Sequence, residues 1–96
     1  MNKSAAKPRI EVETLSEGDY RVRVIEGGSE SAHRVTLKAE DFKRLAGGKV
    51  AAEELVRRSF EFLLEREPKE SILARFDLSV IARYFPEYEN EIARRL

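Results

Sequence analysis

The feature that most constrains this chain is a change of hydrophobic period near residue 38. Ile10, Val12 and Thr14, then Tyr20, Val22 and Val24, then His33, Val35 and Leu37 fall at every second position, with mostly charged or polar residues between them. That alternation marks strands with one buried and one wet face. The sets are separated by Ser16-Glu17-Gly18-Asp19 and by Gly27-Gly28-Ser29, compositions suited to tight turns. Three short strands so joined predict an antiparallel meander. From Ala39 onward the spacing becomes helical and no further strand is expected.

The helical half begins with Ala39–Ala46, where Phe42, Leu45 and Ala46 point inward and Gly47-Gly48 end the element. The longest periodic segment is Ala52–Arg66. Leu55, Val56, Ser59, Phe60, Leu63 and Leu64 make one apolar stripe, opposite Glu54, Arg57, Arg58, Glu61 and Glu65. Glu54–Arg58 and Arg57–Glu61 are complementary i,i+4 pairs, and Pro68 stops the helix. Ser71–Phe76 reads as a short helix. Asp77 reads as the N-cap of Leu78–Phe85, and Pro86 as the first residue of a last helix ending near Arg95. The expected fold is therefore α+β: a three-stranded antiparallel β-meander followed by about four helices packed on one face. Residues 1–8 read as a flexible tail and 9–96 as a single domain, as 96 residues allow.

Composition removes several functions. With no cysteine there is no disulfide, thiol nucleophile or cysteine-ligated metal. Eighteen Lys and Arg against eighteen Asp and Glu, balanced in both halves, leave no strong field for a polyanion, short of a local basic patch made by folding. Met1–Ile10 lacks the apolar core of a signal peptide and no run is long enough to span a bilayer, so a cytoplasmic location without membrane contact is expected.

Four segments carry a resemblance: His33-Arg34-Val35-Thr36, Glu53-Glu54-Leu55-Val56, the run Ser59-Phe60-Glu61-Phe62-Leu63-Leu64-Glu65-Arg66-Glu67-Pro68, and Tyr84-Phe85-Pro86-Glu87-Tyr88. Over Tyr20–Tyr88 the chain resembles a family of small bacterial proteins with no assigned activity. Such proteins often open the long helix with Ser-Pro, where this chain has Ala51-Ala52, a weaker N-cap. The resemblance implies no catalytic residues.

Candidate sites are few. His33 is the only histidine; its place beside Val35 and Leu37 suits a core-margin residue with one ring nitrogen bonded to the backbone. Ser59, within a helix, suits back-bonding to a carbonyl one turn earlier. Glu65, Glu67 and Glu70 lack the spacing of a metal loop. Neither glycine pair has the spacing of a phosphate loop. No catalytic residue, cofactor or metal ligand is expected.

All aromatics but Tyr20 lie beyond residue 40, Phe62 points away from the centre of its helix's stripe, and Leu78–Tyr88 is apolar on more than one side. A second small core explains this, and so does an interaction surface of Phe62, Tyr84 and Tyr88 used by a protein partner or a homodimer. The expected function is a non-catalytic protein-interaction or regulatory module. The alternative is a nucleic-acid-binding helix-turn-helix-like module over Ser71–Phe85 with Arg75 and Arg83 as contacts, against which the charge balance weighs.

Overall fold

The computed structural model of the chain describes residues 7–96. The tail expected over residues 1–8 therefore lies, for residues 1–6, outside the described residues. The architecture is α+β, with strands β1 (Arg9–Ser16), β2 (Asp19–Glu26) and β3 (Ser29–Thr36), then helices α1 (Ala39–Ala46) and α2 (Ala52–Leu64). A short fourth strand, β4 (Arg75–Asp77), precedes helices α3 (Ile81–Tyr84) and α4 (Tyr88–Arg95).

The three expected strands form. β1 pairs antiparallel with β2, and β2 with β3, placing Tyr20 opposite Val35 and Val22 opposite His33. The buried face is the alternating set read from the sequence: Tyr20, Val22, Val24, His33, Val35 and Leu37 are all buried. Gly18 turns the first hairpin at φ +74°, and a Cβ there would meet the Leu37 carbonyl oxygen at 2.8 Å. Only glycine fits that approach, because the Leu37 amide donates to the Gly18 carbonyl at 2.9 Å.

The sheet has four strands rather than three, and it is mixed. β4 lies parallel to β3, with Arg34, Val35 and Thr36 opposite Arg75, Phe76 and Asp77. A parallel neighbour requires a crossover, and α1 and α2 supply it. The segment Ser71–Phe76, expected as a helix, is instead the end of a 3₁₀ turn (Lys69–Ser71) running into β4. Phe76 turns inward against Phe60, with ring centroids 5.9 Å apart, while Arg75 stays exposed.

The helix ends follow local chemistry. Gly47 caps α1 in the left-handed region at φ +56°, donating to the Lys43 carbonyl. α2 starts at Ala52 without a side-chain cap. It stops at Leu64, earlier than the pattern implies, although the Arg66 and Glu67 amides still bond to the Leu63 carbonyl ahead of Pro68. Asp77 caps the 3₁₀ turn Leu78–Val80, accepting from the Ser79 amide at 3.1 Å and the Ser79 hydroxyl at 2.6 Å. Burial raises its carboxyl pKa, but these bonds and the one from Thr36 outweigh that and leave it lowered. Pro86 lies in a turn before α4, which starts at Tyr88.

α2 is the centre of the molecule. Leu55, Val56, Ser59, Phe60, Phe62 and Leu63 are all buried, more than one stripe's worth. Its Phe60 side faces the sheet, and its Phe62 side faces Phe85 and Tyr88 of the C-terminal segment. The apolar residues of both sides form one continuous core.

Candidate docking pocket

His33 sits at the core margin, buried, with its ring 5.3 Å from that of Phe60. Its Nδ1 lies 2.8 Å from the Leu73 carbonyl oxygen and its Nε2 2.8 Å from the Ser31 hydroxyl. A carbonyl only accepts, so Nδ1 carries a proton and donates it to Leu73, while Nε2 shares a hydrogen bond with the Ser31 hydroxyl. Both ring nitrogens are thereby engaged. Ser59 donates to the Leu55 carbonyl at 2.8 Å, the expected back-bond, and shares a 2.6 Å hydrogen bond with the Tyr88 hydroxyl inside the core. Glu65, Glu67 and Glu70 diverge: Glu65 pairs with Arg95 at 2.6 Å and Glu70 with Lys69 at 2.6 Å, while Glu67 turns towards a pocket.

The interaction surface expected from Phe62, Tyr84 and Tyr88 does not exist as a unit. Phe62 and Tyr88 are fully buried, and only Tyr84 is exposed. Phe62 packs edge-on against Phe85 and Tyr88 at 5.9 and 5.2 Å, and the Arg66 guanidinium lies over its ring at 3.6 Å. Arg66 stands one turn beyond Phe62, where helical spacing places it, but the contacts with Phe85 and Tyr88 that bury the ring come from a distant segment that spacing along α2 does not announce. Burial pushes the Tyr88 hydroxyl up to about 12 despite the bond to Ser59.

The helix-turn-helix alternative is also corrected. Arg75–Asp77 is a strand, Leu78–Val80 a 3₁₀ turn, and α3 has 4 residues, a single turn with no length to lie along a groove. Arg75 and Arg83 are exposed, but the first belongs to the wet face of the sheet and the second to α3.

A different surface emerges around Tyr84. Among the described residues the exposed large apolar side chains are Tyr84, 67 % accessible, and Leu73, 49 % accessible. They come from segments separated by β4, yet both line one pocket of about 240 Å³. Its wall is built from Leu63 of α2, Ile72, Phe76 of β4, Ile81 of α3 and Phe85, with Glu67 as the one carboxylate. The Leu73 rim is held from below. His33 binds its carbonyl, and the Arg34 amide donates to the Ala74 carbonyl at 2.7 Å. Sequence reasoning found Tyr84 but missed Leu73 and Glu67 as its neighbours, because it takes Ser71–Phe76 as a helix where the chain makes a 3₁₀ turn and runs into β4. Set against protein-family models, curated proteins and solved structures, the chain matches none. Among the described residues no helix is long and apolar enough to cross a membrane.

Proposed function

We propose that this chain is a non-catalytic protein-interaction module of the bacterial cytoplasm, docking a partner protein at the Leu73–Tyr84 pocket. The observation that carries the reading is the convergence of two exposed apolar side chains from separate segments on one concavity. Scattered surface leucines and tyrosines are ordinary; two flanking a pocket with an aromatic floor form an anchor site. The engagement of both His33 ring nitrogens and the burial of Ser59 support a non-catalytic role, since neither is poised to move a proton or attack. Bacterial origin rests on the resemblance carried by Ser59–Pro68 and Tyr84–Tyr88. The interior placement of Phe62 and Tyr88 accounts for those aromatics as part of the one continuous core and leaves the pocket as the interaction surface.

Replacing Leu73 and Tyr84 together by serine tests this. Each is exposed, so the double variant should melt within about 1 kcal/mol of the parent. It should also fail to retain proteins that the parent captures specifically from an extract of the source organism. Capture of the same proteins by both would reject the pocket as the docking site.

A further inference from the structure

In a chain whose positive and negative residues match in number, Glu67 stands apart. It is half-buried in the wall of a pocket that is apolar apart from it and Ser71, and among the described residues no cation or hydrogen-bond donor meets its carboxylate. Burial alone holds its pKa above the ordinary glutamate range. The basic residues that flank Glu67 in the chain, Arg66 and Lys69, are committed elsewhere, as is Arg95, and among the described residues no contact joins exposed Arg75 or Arg83 to it. Arg66 reaches Glu87 at 3.0 Å, Lys69 reaches Glu70 at 2.6 Å, and Arg95 reaches Glu65 at 2.6 Å. A carboxylate left partly desolvated without a partner opposes folding, and an arriving cation would offset that loss.

The size of the pocket narrows the occupant. At about 240 Å³ it is smaller than the ~300–1,000 Å³ typical of sites that enclose a whole small molecule. It has room for an anchoring side chain. We propose that the pocket receives an apolar side chain of a partner polypeptide accompanied by an arginine or lysine. The apolar group lies against Ile72, Phe76 and Phe85, and the cation pairs with Glu67. Tyr84 and Leu73 at the rim cover the aliphatic stem of the basic residue and keep water from the pair. Acidic segments are rejected by the same carboxylate, so Glu67 sets specificity as well as affinity. This inference rests on the reading of the pocket as a docking site.

Three capped pentapeptides, Ala-Phe-Ala-X-Ala with X as Arg, Gln or Glu, test it; residues two apart share a face in an extended segment. Titrated into the isotopically labelled full chain and followed through the amide signals of Ile72, Leu73 and Ile81, the Arg peptide should bind at least about tenfold more tightly than the Glu peptide. In Glu67→Gln the preference for Arg over Gln should vanish, while the variant melts at or above the parent temperature. Equal binding of all three peptides at those amides would overturn the cation partner and leave the docking site standing. Silence of those amides towards every peptide, with Leu73→Ser/Tyr84→Ser also retaining its captured proteins, would overturn both. If the same signals shift with protein concentration alone, the occupant is a second copy and the proposal fails.

Discussion

Tyr88 shows how one residue's role turns on what covers it. On a helical wheel it belongs to a stripe with Ile92 and Leu96, and nothing in that stripe says whether solvent or protein faces it. In the fold its ring meets Phe62 and its hydroxyl ends a buried chain running through Ser59 to the Leu55 carbonyl. Tyr88→Ser, which would be harmless on an interaction surface, should therefore cost about 3–5 kcal/mol in denaturant unfolding, the range for emptying a buried aromatic site. Tyr88→Phe keeps the ring and leaves Ser59 bonded to Leu55, so its cost should be nearer 1 kcal/mol. Similar losses for the two variants would mean that the hydroxyl, and not the ring, holds this part of the core. His33 is the opposite case, because its period-2 neighbours already place it inward. The sequence could not supply its partner, since the Leu73 carbonyl is 40 residues away along the chain.

At the level of elements, α2 and β4 differ in how far they could be read. α2 declares itself through helical spacing over more than three turns, and both i,i+4 pairs form, Glu54–Arg58 and Arg57–Glu61 each at 2.6 Å. Its uncapped start is legible too. Ala51 has the extended backbone of an N-cap, φ −71° and ψ 162°, but no side chain to accept a hydrogen bond. Ala51→Ser should raise stability by about 1 kcal/mol in thermal or urea unfolding, and no gain would show that the first-turn amides are already satisfied by water. β4, by contrast, has 3 residues, too few to establish a period. Its existence depends on β3 offering an edge after the chain has passed through two helices. The decisive group is the Arg34 amide, which donates to the Ala74 carbonyl. In a three-stranded meander that amide would face solvent, so hydrogen exchange should find it protected. Exchange at an open-chain rate would dismiss the parallel pairing.

For the whole molecule, the charges and the core do different work. Ion pairs tie the helices to one another across the surface, Arg44 with Glu89 at 2.6 Å and Arg95 with Glu65 at 2.6 Å. Most are solvent-exposed and worth at most about 1 kcal/mol each. The core responds to high pH chiefly through Tyr88, with burial raising Tyr20 in the same direction. The folded pKa of Tyr88 is raised from 10.0 to about 12, chiefly by burial, so the folded state holds the proton longer than the unfolded one. The resulting stability is complete below pH 10 and is lost as pH rises through the folded value, about 2–3 kcal/mol in all. Melting temperature should fall across that window, and Tyr88→Phe should flatten the fall. An unchanged slope in that variant would assign the alkaline loss to other groups.

The sequence by itself determined the three meander strands, the two principal helices, the turn glycines and the inward side of His33. Each follows from alternation, helical spacing or backbone sterics within a few residues. Only the tertiary structure decided that a fourth strand joins in parallel and that Phe62 and Tyr88 are sealed inside. It also brought Leu73, Glu67 and Tyr84 together around one pocket. The strand pairing and the burial depend on which segments meet across long stretches of chain, and the pocket on turns and a strand too short to show a period; local periodicity records a face to be covered without recording what covers it.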